Sequence, residues 1–154
     1  MTQAEIVQIL AGFVGTLGFG ILFHIRKMRL LAAAAGGMLA WFLFLLLNKW
    51  SASEAVNYFI VSLLISFYNE IMARLLKTPT TVFATTCLVP LIPGGSLYYM
   101  MNYAFAGKSV QFLERGLYTL QLASALVLGI ILASALTKIV CNLLPKKKAA
   151  GPGV

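Results

Sequence analysis

Residues 78–102 read T-P-T-T-V-F-A-T-T-C-L-V-P-L-I-P-G-G-S-L-Y-Y-M-M-N. The stretch is apolar enough to enter a membrane, yet it interrupts itself in the middle. Pro90 lacks the N–H that a helix would donate to the carbonyl of Thr86, and Pro93 does the same to the carbonyl of Val89. Val89 and Ile92, each preceding a proline, are biased away from helical angles. Gly94 and Gly95 supply permissive backbone, and Ser96 is placed to cap a new helix. The expectation is two half-helices, over 80–89 and 97–106, joined by an unwound P-x-x-P-G-G-S turn. Lys77 marks a polar boundary before the segment. Ten helical residues rise about 15 Å, which puts the turn near the middle of a hydrocarbon core about 30 Å thick. Unwound backbone at that depth is tolerated only inside protein or beside a watery cavity. Discontinuous helices of this kind build substrate sites in many transporters.

Working outward, the rest of the chain fits a membrane setting. Of 154 residues, 60% are hydrophobic and only 10% charged, against about 25% charged in soluble domains. The length allows one bundle. The net charge of +8 is not a nucleic-acid signal, because the basic residues sit singly or in short runs between apolar segments, where they set topology. There is no aspartate, and the glutamates are Glu5, Glu54, Glu70 and Glu114. Cys87 and Cys141 lack metal-ligand spacing and read as small apolar fillers. No nucleophile–base pair or metal cluster is visible, so neither an enzyme nor a cofactor or metal is expected.

The first apolar segment covers 4–23, with Gly12, Thr16 and Gly20 forming a small-residue stripe suited to close helix contact. The second, 30–48, begins with Ala32, Gly36 and Ala40 on one face and ends in a bulky run. Trp41 sits mid-segment, and Trp50 suits the far interface. The third, 54–76, starts with Ser53 as an N-cap candidate and Glu54 at the positive helix end. Near its other end, Glu70 and Arg74 are four apart. Either they form an interfacial ion pair, or Glu70 is a proton- or substrate-linked carboxylate, as intramembrane acids often are. The last segment, 117–140, carries the stripe Ala125, Gly129, Ala133, Thr137, and 107–116 reads as a loop.

The fold expected is therefore all-α: a polytopic membrane helix bundle of about five transmembrane segments over 1–145, the fourth broken, with a basic disordered tail at 146–154. Arg26, Lys27 and Arg29 place their loop in the cytoplasm. The N-terminus is then outside, and Arg74, Lys77 and Lys146 to Lys148 are inside, provided that the broken segment crosses once.

K-T-P-T-T-V-F followed by V-P-L-I-P-G-G-S-L-Y-Y resembles the bacterial threonine/serine exporter family, and within it the small, YjjB-like subunit type. G-F-G-I-L-F with its basic loop and A-A-A-G-G-M-L-A-W fit the same pattern, so the likeness spans residues 12–140. The resemblance implies export of small hydrophilic metabolites from the bacterial cytoplasm across the inner membrane, driven by the proton motive force. Threonine and serine are the namesake substrates, and split-type members are linked to dicarboxylates such as succinate. It also implies a larger partner subunit, beside the lipid bilayer and a possible homo-oligomer. The alternative is a structural or regulatory subunit that scaffolds that partner without touching substrate.

The residue chemistry, separately, nominates a substrate site. The N–H groups at Gly94, Gly95 and Ser96 favour a carboxylate. The freed carbonyls of Thr86 and Val89, at the Pro90 and Pro93 breaks, would accept from an ammonium group. Thr85, Tyr98 and Asn102 would add side-chain hydrogen bonds. The competing reading is that these groups only satisfy the interrupted backbone. Glu70 and Arg74 are the proton-coupling candidates.

Overall fold

The computed structural model describes residues 3–50 and 53–143. The expected tail at 146–154 and the side chain of Cys141 lie outside the described residues. Among the described residues there are six α-helices: α1 (Gln3–Leu22), α2 (Met28–Asn48), α3 (Glu54–Leu75), α4 (Thr80–Cys87), α5 (Gly94–Phe105) and α6 (Ser109–Leu143), with a 3-10 turn at Val89–Leu91 between α4 and α5. Among the described residues, α1, α2, α3 and α6 are long and apolar enough to cross a membrane. Together with the interrupted α4–α5 segment they make an all-helical membrane bundle.

The small-residue stripes are the seams of this bundle. In α1, Thr16 is fully buried and turns its hydroxyl back onto the Gly12 carbonyl at 2.7 Å. That leaves its compact face to meet Gly37 of α2, where any Cβ would collide with the threonine side chain. Gly12 opposes Trp41 and Gly20 opposes Leu30, so the two helices run antiparallel. Gly36 faces away from α1, and a Cβ there would stand 2.6 Å from Cys87 Sγ and 2.7 Å from the Tyr68 ring. Tyr68 in turn donates to the Ala32 carbonyl at 2.8 Å, tying α3 to α2. In α6, a Cβ on Gly129 would lie 2.6 Å from the Phe59 carbonyl oxygen. Bare backbone on one helix thus accepts side chains or backbone of the next, which is how helices associate when lipid offers no hydrophobic drive.

The α3–α6 seam fixes a register. Tyr118 reaches Glu54, and Gly129 meets Phe59 and Ser62, so α6 runs parallel to α3. The first nine residues of α6, from Ser109 to Leu117, therefore continue past the start of α3. They are helical, which corrects the loop expected at 107–116; the connection is only Ala106–Lys108, turning at Gly107 with φ +68°. Ser96 pairs with Thr119 and Gly116 abuts Met100, so α5 lies antiparallel against this extension. At 1.5 Å per residue, 35 residues make a helix of about 52 Å, well beyond a 30 Å core.

The broken segment runs from one end of the bundle to the other. Val82 of α4 lies beside the basic 24–29 loop, whereas Pro93 to Ser96 lie beside Glu54, Tyr58 and Tyr118. It does not fold back as a hairpin: α4 packs on α2 and α3, and α5 packs on α6.

Candidate functional site

The interruption takes a different form from the one the prolines suggest. Val89 stays helical, in a 3-10 turn with Pro90 at its first positions, and only Ile92 is extended, at φ −63° and ψ 126°. Pro tolerates an early helical position because its missing N–H is an orphan there anyway. The tighter turn also closes the carbonyls expected to be free. The Leu88 N–H donates to Thr86 O, and the Ile92 N–H donates to Val89 O at 3.1 Å. The Val89 carbonyl is thus taken by an i→i+3 bond, and the Thr86 carbonyl meets the N–H two residues on, so both expected acceptors already face a backbone donor.

The second half-helix begins at Gly94, three residues earlier than expected, with Pro93 in the N-cap position. Ser96 does not cap it. Its hydroxyl pairs with Thr119 Oγ1 at 2.8 Å instead, docking the first turn of α5 on α6. Neither Gly94 nor Gly95 has a positive φ, and a Cβ at either would have nothing within 4 Å. Their value here is bareness: they leave the N-terminal backbone of α5 open to a pocket. The N–H groups of Gly95 and Ser96 find no backbone acceptor among the described residues.

That pocket, about 340 Å³, is where the site takes shape. One wall is the turn from Ile92 to Ser96, and the others are Trp41 of α2, Glu54 and Tyr58 of α3, Tyr99 of α5, and Arg115, Tyr118 and Leu122 of α6. The buried Phe44 ring links the lining residues Trp41 and Tyr58, with ring centroids 5.4 and 4.9 Å apart. Glu54 accepts a hydrogen bond from the Tyr118 hydroxyl. A carboxylate, a guanidinium and a helix N-terminus thus share one enclosure. It lies towards the end of the bundle away from the basic loop, about two turns before the end of α2 and in the first turns of α3. The turn expected at mid-length therefore stands closer to that end of the bundle.

The ten residues nominated from sequence are divided by the fold. Pro93, Gly94, Gly95 and Ser96 line the pocket. Val89 and Pro90 line a separate apolar cleft with Gln8, Gly12, Gly15 and the other side of Trp41. The Thr85 and Thr86 hydroxyls bond back to carbonyls of their own helix, Thr85 to Thr81 at 2.9 Å and Thr86 to Val82 at 3.0 Å. Tyr98 and Asn102 are exposed on α5, and it is Tyr99 that faces the pocket. Glu70 and Arg74 pair at 3.6 Å near the opposite end of α3.

Arg115, Tyr118, Tyr58 and Glu54 line the pocket without having been nominated for it from sequence. A signal was present: Gln111, Glu114, Arg115 and Tyr118 fall at i, i+3, i+4 and i+7, one face of a helix. The polar surface continues down α3, where Glu54, Tyr58, Ser62, Ser66 and Asn69 recur at helical spacing. Asn69 is 1% exposed, and both polar atoms of its amide lack a hydrogen-bond partner among the described residues, as does the Ser66 hydroxyl.

The comparisons with known proteins now bear on this arrangement. The family described as "Threonine/Serine exporter, ThrE" matches residues 8–136. The chain belongs to the threonine/serine exporter family. That span takes in the small-residue stripes up to Ala133, the broken segment and every residue named above as lining the pocket at the broken turn. Neither the curated proteins nor the solved structures contain a match to the chain. Membership makes this exporter-family chain a membrane transport protein rather than an enzyme.

Proposed function

We propose that this chain is a subunit of a secondary exporter and that its substrate passes through the pocket at the broken turn. The observation that carries the reading is the meeting of Glu54, Arg115 and the open N-terminus of α5 around one cavity. Its volume falls within the range of about 300–1,000 Å³ common to small-molecule sites. An amino acid would set its ammonium group on Glu54 and its carboxylate on Arg115 and the Gly95 and Ser96 N–H groups. A dicarboxylate such as succinate would face Glu54 with the wrong sign, so the pocket favours threonine or serine.

From there the path follows the polar face of α3 past Ser62, Ser66 and Asn69 to Glu70. Unpartnered polar groups are costly in an apolar bundle, and they commonly mark transport routes. Glu70, held by Arg74 at rest, is the proton-coupling group, with export driven by the proton motive force. The orientation has the 24–29 loop inside a bacterial inner membrane, by the positive-inside rule. A larger partner subunit completes the transporter. The projecting pair formed by α5 and the first turns of α6 is a natural contact for it, because Phe105 and Val110 there are at least 80% exposed.

Labelled threonine and succinate flux in proteoliposomes holding this chain and its partner tests the reading. Glu54→Gln and Arg115→Gln should each reduce threonine flux at least tenfold, about 1.4 kcal/mol. Undiminished threonine flux in both variants would reject the pocket as the site.

A further inference from the structure

At the end of the bundle remote from the broken turn, a cavity of about 710 Å³ opens between the 24–29 loop and the α3–α4 connection. Arg26, Lys27 and Arg29 line one side with His24 beside them, and Lys77 lines the other. Among the described residues, no carboxylate lines it. The chain has only four acidic side chains, and none is among the lining residues: Glu5 pairs with Lys49, Glu54 with Tyr118 and Glu70 with Arg74, and Glu114 borders a separate cleft with Tyr103 and Arg115. Four fixed positive charges therefore converge on a space that the chain's own side chains do not neutralise. Such charges repel one another unless an anion from outside joins them.

The remaining lining says which kind of anion. Phe23, Met28 and Leu75 border the same cavity and are 51%, 67% and 68% exposed. The apolar exposure continues along the flank of the bundle through Ile21, Leu22 and Ile71. A free phosphate or dicarboxylate would use the cations and leave this apolar border bare. A phosphate tethered to acyl chains would use both, and it would stand at this level, where helix ends meet the headgroup region.

We propose that this cavity binds the phosphodiester headgroup of an anionic lipid, with Arg26, Arg29 and Lys77 on the phosphate and the acyl chains against Phe23, Met28 and Leu75. Bound there, the lipid bridges the α1–α2 loop to the residue that leads into the broken segment, and it anchors the inner end of α4.

The test uses the full chain purified in neutral detergent, titrated with phosphatidylglycerol, phosphatidylcholine or inorganic phosphate, and read by native mass spectrometry and thermal shift. Phosphatidylglycerol should give retained adducts and a raised melting temperature, and the other two should not. The double variant Arg26→Gln/Lys77→Gln should weaken lipid binding by about fivefold per charge. Arg26→Lys/Lys77→Arg should restore it, and Lys108→Gln, at the opposite end, should leave it unchanged. Should the double variant not fold, Arg29→Gln alone decides, with the same fivefold loss expected. Equal affinity in wild type and the charge-removal variants would overturn the proposal. So would an equal thermal shift from inorganic phosphate, which would assign the cavity to a free anion.

Discussion

The Tyr118 hydroxyl donates a hydrogen bond to the Glu54 carboxylate, joining the first turn of α3 to α6 across 64 residues of sequence. The contact closes one side of the pocket and fixes the parallel register of the two helices. Tyr118→Phe should therefore cost about 1.5 kcal/mol in stability, the low end for a hydrogen bond to a charged group. It should also weaken substrate binding by loosening Glu54. Thermal unfolding in detergent measures the first effect, and equilibrium binding of threonine the second. An unchanged melting temperature with unchanged binding would mean the contact is incidental.

Helix association should depend on Gly129 and be indifferent to Gly15. A Cβ at Gly129 would press on the Phe59 carbonyl, whereas one at Gly15 would meet nothing within 4 Å. Gly129→Leu is expected to destabilise by about 1–3 kcal/mol, the range for forced overpacking, and Gly15→Ala to leave stability and activity intact. Size-exclusion profiles and melting temperatures of the two variants report the contrast. Equal behaviour would remove the α3–α6 seam from the account.

How far the sequence reached can be judged at such positions. Thr16 and Gly129 were recognisable as contact residues because small side chains at four-residue spacing have few other uses in lipid. The break was recognisable because two prolines remove two N–H groups whatever the surroundings. Its internal geometry was not: whether Val89 turns extended or enters a 3-10 turn depends on packing beside Trp41 and Gly12. Gly94 and Gly95 looked like conformational devices and proved to be bare helical positions. Arg115 escaped because Lys108 to Arg115 is polar enough to pass for a loop. Only the pairing of Ser96 with Thr119 and of Tyr118 with Glu54 shows that the helix continues past the bundle's end and carries Arg115 to the turn.

Glu70 supplies the energetic test. If it carries the coupling proton, Glu70→Gln should abolish the response of threonine flux to an imposed pH gradient while assembly and insertion stay normal. If it serves only as the partner of Arg74, the double variant Glu70→Gln/Arg74→Gln should transport at nearly the wild-type rate. Proteoliposomes with and without a pH gradient separate the two outcomes.

Orientation can be read with single cysteines in a background lacking Cys87 and Cys141. A cysteine at position 27 should be protected from an impermeant maleimide added to intact cells, and one at position 108 should react. Labelling of position 27 from outside would invert the topology and place the anionic-lipid site on the other leaflet.

The most direct test of the central claim is threonine flux through Gly94→Val. A Cβ at Gly94 has open space around it, so the variant should fold, insert and assemble. The added methyl groups would fill the pocket beside the N-terminus of α5, where a carboxylate must approach closely. Transport is predicted to fall at least tenfold at normal expression, about 1.4 kcal/mol. Wild-type flux from that variant would show that the substrate does not pass the broken turn.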